Sequence, residues 1–120
     1  MRKIFDYPTL KAFMAAEPTE AQFSEFFMST LEPTEDRFVR MDQWQNRKAI
    51  LRHPKCPNKI LEYAATSSVW YERFVAYLTK QSKASGFWRK ALKDPDQRVR
   101  DAAMNYSEYL RNPLGHGRID

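Results

Sequence analysis

Glycine is nearly missing from this chain: three occur in 120 residues, and two of those, Gly115 and Gly117, stand close to its end. A phosphate-cradling loop needs several glycines together, and two-residue hairpins favour Asn-Gly or Asp-Gly. A Gly-rich nucleotide loop is therefore excluded, and helices are favoured over sheet. Cysteine occurs once, as Cys56, so no internal disulfide can form. No run of about 18 apolar residues is present to cross a membrane, and no charged-then-apolar N-terminal segment reads as a signal peptide. These absences lead to the expectation of a soluble, cytoplasmic protein with no membrane partner.

What is present is a folded composition. Apolar residues make up 42% and aromatics 14%, enough for one domain with a continuous core. Charge is unevenly distributed. Residues 1–43 hold five Lys/Arg against eight acids, a balance of −3, and the remainder holds fifteen against seven, a balance of +8. Lys80, Lys83, Arg89, Lys90, Lys93, Arg98 and Arg100 fall between residues 80 and 100, where the acids are Asp94 and Asp96 alone. The asymmetry fits an anionic partner for the C-terminal half, or a solvated face.

Three stretches align without gaps: Trp44–Leu51, Trp70–Tyr77 and Gln97–Met104. Arg47, Arg73 and Arg100 fall 26 and then 27 residues apart, with Ile50, Ala76 and Ala103 each three places later. A fixed period of that size marks stacked supersecondary units, none of which buries its apolar face alone.

Helix signals are frequent. Thr9 precedes a short apolar-faced helix that ends by Pro18, and Thr19 to Gln22 has capping-box spacing ahead of Phe23, Phe26, Phe27 and Leu31. Thr34 opens a third segment, with a break expected near Asp42. The prolines of Arg52 to Pro57 make that stretch a connector, followed by a helix from Asn58 to about Thr66. Thr66, Ser67 and Ser68 are read as the cap of a helix from Val69 to about Lys80. Gln81 to Ser85 reads as a loop and Phe87 to Lys93 as a short helix. Asp94 to Gln97 reads as a capping box with Pro95 at the first helical position, opening a helix that reaches about Leu110. The expected organisation is an N-terminal helical cap over 1–41, helical repeats over 42–111 and a tail over 112–120, all in one compact domain.

The connector His53-Pro54-Lys55-Cys56-Pro57, the pairs Ile60-Leu61 and Ala64-Ala65, and the run Asp94-Pro95-Asp96-Gln97-Arg98-Val99-Arg100-Asp101-Ala102-Ala103 resemble the leucine-rich repeat variant family, a relative of the HEAT repeats. The likeness spans about residues 42–113 and leaves 1–41 unmatched. It implies an all-α fold, a short right-handed superhelix of HEAT-like helical repeats, and it implies no reaction. The N-terminal iron–sulfur cluster of some members needs several cysteines and does not transfer to a chain with Cys56 alone. The same pattern gives His53 and Cys56 a connector role in place of metal ligation, and no cofactor or metal is expected.

Paired carboxylates, Glu35/Asp36 and Asp94/Asp96, stand at expected helix starts, where capping accounts for them. With no catalytic constellation and no small-molecule substrate implied, the chain reads as a non-enzymatic adaptor or regulatory protein. It would bind a protein partner, one with an acidic surface, through Trp44, Trp70, Tyr71, Trp88 and Arg73. The alternative is backbone-driven nucleic-acid binding by Lys80, Lys83, Arg89, Lys90, Lys93 and Arg98. The arginine series has two readings of its own, a ladder of structural hydrogen bonds or a cationic stripe.

Overall fold

The computed structural model describes residues 17–112 together with Lys11 and Ala15. Apart from those two residues, the helix expected after Thr9 lies outside the described residues, as does the tail from residue 113. Among the described residues all regular structure is helical: α1 (Glu20–Ser29), α2 (Arg37–Arg52), α3 (Asn58–Ala64), α4 (Trp70–Tyr77), α5 (Lys80–Ser85), a 3₁₀ helix η1 (Phe87–Lys93) and α6 (Gln97–Arg111). Contacts divide the chain into two compact units, residues 1–64 and 65–120.

In the first unit Thr19 and Gln22 form the reciprocal capping box. Thr19 Oγ1 accepts from Gln22 N at 3.2 Å and Gln22 Oε1 accepts from Thr19 N at 2.8 Å. Phe23, Phe26 and Phe27 then fall on one helical face and are buried, with Ile50, Leu51, Ile60 and Leu61 among the other buried apolar residues of the unit. Each such side chain contributes about 1.5–3 kcal/mol by leaving water.

The break expected near Asp42 is not there, because α2 runs unbroken from Arg37 to Arg52. Its N-cap is Asp36, which accepts from Phe38 N and Val39 N, while Thr34 Oγ1 accepts from Asp36 N one step earlier. Nothing in 37–52 is a proline or a glycine. The helix is also held along its length: Arg40, Gln43 and Arg47 donate in turn to the carbonyls of Thr34, Glu32 and Thr30 at 3.2, 2.8 and 2.6 Å. Steps of three and four along the helix match steps of two along the preceding loop, so the loop runs antiparallel down one face of α2.

The second unit departs from the expected boundaries in three places. α4 stops at Tyr77 and not near Lys80, and Thr79 accepts from Ser82 N at 3.0 Å to open α5 where a loop was expected. Ser82, fully buried, donates to Ala76 O at 2.6 Å and so ties the new helix back to α4. Pro95 precedes the N-cap of α6 instead of following it: Asp96 is the cap and accepts from Arg98 N at 2.8 Å. At the start of α4 the N-cap is Val69, without a side-chain bond of its own, and Ser67 accepts from Val69 N two residues earlier.

Gly86, at φ +90°, closes α5 in the left-handed region that glycine enters freely. After it, η1 has three residues per turn, which stacks positions three apart in one column. Trp88, Ala91 and the following Asp94 are buried, while Lys90 and Lys93 share another column and are exposed. Tyr77, Trp88, Ala91, Val99 and Ala103 form the core of this unit, with Trp70, Phe74 and Tyr106 packed against it.

Candidate functional site

Asp94 is the centre of the polar structure in the second unit. Its buried carboxylate accepts from Arg73 Nε at 2.8 Å, Arg73 Nη2 at 2.9 Å and Asp96 N at 2.9 Å. The Arg73 guanidinium beside it holds the carboxyl below the ordinary carboxylate range despite burial, and the same bonds raise the pKa of Arg73. Arg73 Nη1 also donates to Ser67 O at 2.9 Å, and Arg100 Nη1 to Asp94 O at 2.8 Å. Both arginines thus reach back six residues to the carbonyl two places before an N-cap, and Ser67 and Asp94 are themselves 27 residues apart. Arg47 instead reaches Thr30, 17 residues back, since the helix that carries it began ten residues earlier at Arg37. All three guanidiniums serve backbone carbonyls.

The five residues expected to form a docking face are not equivalent. Trp88 is a core residue, 4% exposed, and Arg73 is engaged by Asp94 and Ser67. Trp44 lies half-buried in the first unit beneath Arg47 and Lys48. Trp70 and Tyr71 do come together, ring centroids 5.8 Å apart and edge to face, and Tyr71 is exposed. The Arg98 guanidinium lies 3.8 Å from the Trp70 centroid while bonding Asp96 through two nitrogens, which draws Asp96 down to about 2.

The basic residues fare differently. From Arg73 to Lys93 the sequence contains no acid. Lys80, Arg89, Lys90 and Lys93 are exposed, Lys83 is half-buried, and none of the five is ion-paired among the described residues. Meanwhile Asp94 is bound by Arg73, Asp96 by Arg98 and Glu108 by Arg111. The acids of this unit are thus largely countered and the α5–η1 cations are not, which leaves a local positive field.

His53 and Cys56 are structural where the connector puts them. His53 Nδ1 accepts from Lys55 N at 2.9 Å, its carbonyl accepts from Cys56 N at 3.0 Å, and its ring meets Phe23 edge to face at 4.9 Å. Burial pushes the Cys56 thiol up to about 12, leaving it protonated and a poor ligand or nucleophile. No group of three or more His, Cys, Asp or Glu suited to a metal ion occurs among the described residues. An apolar cleft lined by Phe27, Met28, Lys59, Ile60 and Tyr63 has a volume of about 190 Å³, below the roughly 300–1,000 Å³ of small-molecule sites. No helix among the described residues is long and apolar enough to cross a membrane.

No protein-family model, curated protein or solved structure matches this chain significantly. Three features escape the sequence reading: Asp94 as the acceptor for Arg73, Arg98 as the cover of Trp70, and the pair Tyr106 and Tyr109. The last had a signal. Val99, Ala103 and Tyr106 step by four and three along the core stripe of α6, and Tyr109 and Leu110 prolong the apolar pattern beyond the core.

Proposed function

We propose that the protein is a non-enzymatic helical binding module whose second unit docks on a polyanion, with nucleic acid the better supported partner. The observation that carries this reading is the acid-free stretch 73–93, from which Lys80, Arg89, Lys90 and Lys93 project into solvent without an acidic neighbour paired to them. Lys90 and Lys93 share one column of η1, so a phosphate chain meets them together. The burial of Trp88 and the internal engagement of Arg73 weigh against the five-residue protein-docking face. Support for a repeat architecture comes from the matched starts of α4 and α6, 27 residues apart, and their equivalent arginine-to-carbonyl bonds.

The test is retention on DNA-cellulose against salt for the wild type and for the K80E/K90E/K93E variant. Wild-type retention at low salt, lost in the variant, is the expected result. Flow-through of the wild type at low salt would sink the proposal. A second reading, docking on an acidic protein, draws on Trp70, Tyr71 and Arg98, whose stacked cation and exposed phenol form a compact aromatic-arginine face. It predicts that W70A and R98A weaken capture of acidic peptides and leave DNA retention unchanged.

A further inference from the structure

The uncompensated cations adjoin a set of aromatic rings drawn from two other elements. Lys83 Nζ on α5 lies 4.7 Å from the centroid of Tyr106 on α6, and the Arg89 guanidinium on η1 lies 5.3 Å from that of Trp88. Trp88 meets Tyr106 edge to face at 4.9 Å. Tyr106 in turn lies nearly parallel to Tyr109, with 21° between their planes and 6.4 Å between centroids. Arg89, Trp88, Tyr106 and Tyr109 therefore form one continuous series, with Lys83 above its middle. Trp88 anchors it in the core, whereas Tyr109 at the other end keeps 44% of its surface exposed.

A purely phosphate-binding surface has no use for an exposed, pre-oriented aromatic ring. Duplex nucleic acid keeps its base faces stacked inside, and only an unpaired strand presents phosphates and base faces to the same surface. Tyr106 covers one face of Tyr109 and fixes its tilt, so an incoming base loses little by stacking on it. The acid beside this ring, Glu108, is 3.7 Å from Arg111 and so is countered before it can repel a phosphate.

We infer that this series is a site for single-stranded nucleic acid, its phosphates running past Lys83, Arg89 and Lys90 while a base stacks on Tyr109. The inference rests on the nucleic-acid reading above and narrows it to unpaired strands. Binding is largely indifferent to sequence, since every base offers a π face. If all five cations from Lys80 to Lys93 meet phosphate, log K falls with log salt at a slope of up to about 3.5, at about 0.7 for each phosphate.

Fluorescence anisotropy with a labelled oligothymidylate, its duplex with oligodeoxyadenylate, and an acidic peptide of equal charge tests the inference. Wild type should bind the single strand more tightly than the duplex. Tyr109→Ala should lose about 5- to 150-fold on the single strand, the range that one lost stacked base gives, with no change on the duplex and no change in salt slope. Tyr109→Trp should restore binding, which separates stacking from any effect on folding. Tighter binding to the duplex, or equal effects of Tyr109→Ala on both DNAs, would overturn the stacking site and leave the polyanion reading intact. Binding of the acidic peptide with none of either DNA at low salt would overturn both.

Discussion

Arg73 and Asp94, 21 residues apart, form a two-point ion pair almost sealed from solvent, with Nε to Oδ2 at 2.8 Å and Nη2 to Oδ1 at 2.9 Å. The carboxylate side chain is 1% exposed and the arginine 12%. The pair fastens the start of α4 to the segment that leads into α6, and the remaining capacity of Asp94 is used by Asp96 N and, through its carbonyl, by Arg100.

Breaking this pair on one side leaves a buried charge alone. Asp94→Ala should cost about 3–5 kcal/mol in denaturant unfolding, whereas a double replacement, Arg73→Met with Asp94→Leu, should recover most of that loss. A double-mutant cycle measures the coupling. Coupling near zero would mean that the pair contributes no more than an exposed one.

The same pair makes stability pH-dependent on the acid side. Asp94 is held below its ordinary value of 3.8, so the unfolded chain binds the proton first as pH falls. The contribution is fully present above about pH 4 and is lost as pH drops through the lower folded-state value. Asp96, drawn to about 2 by Arg98, acts in the same direction. Urea midpoints measured from pH 5 to pH 2 should fall, and Asp94→Asn should show a lower but flatter curve.

Cys56 should behave as a buried packing residue. Fully buried and with its thiol raised to about 12, it should resist a thiol-reactive reagent at pH 8 until denaturant is added. Cys56→Ser should melt only modestly lower. Rapid labelling of the native protein would show that the connector opens readily.

Gly86 carries a conformational requirement. At φ +90°, alanine is strained by about 1–2 kcal/mol, and its Cβ would stand 2.6 Å from Nη1 of Arg89. Gly86→Ala should lower the melting temperature, and adding Arg89→Ala should return little of the loss, because the flexible arginine end can move while the backbone cannot.

How much of this was legible follows the range of each interaction. The Thr19–Gln22 box, the triad of phenylalanines after it and the start of α6 near Asp96 depend on side chains reaching backbone three or four residues away, and they stand in the sequence as spacing. The break expected near Asp42 failed because the residues that hold α2 together, Arg40, Gln43 and Arg47, bond to a loop 6 to 17 residues earlier. The loop expected at Gln81 to Ser85 failed for a similar reason: a short helix capped by Thr79 persists because Ser82 is bonded to Ala76 across the turn.

The candidate site divides in the same way. The sequence by itself determined an all-helical chain, a protonated single cysteine without thiol partners and an acid-free basic stretch, since composition and local spacing are properties of the unfolded chain as well. Only the tertiary structure decided which of those charges and rings are available. Arg73 and Arg98 sit in similarly charged surroundings in the sequence, yet one meets a buried aspartate and the other lies over an indole. Trp88 and Tyr109 are both aromatic, yet one is core and the other exposed. Exposure and pairing are set by what packs against a side chain from distant elements, and no periodicity along the chain encodes that neighbour.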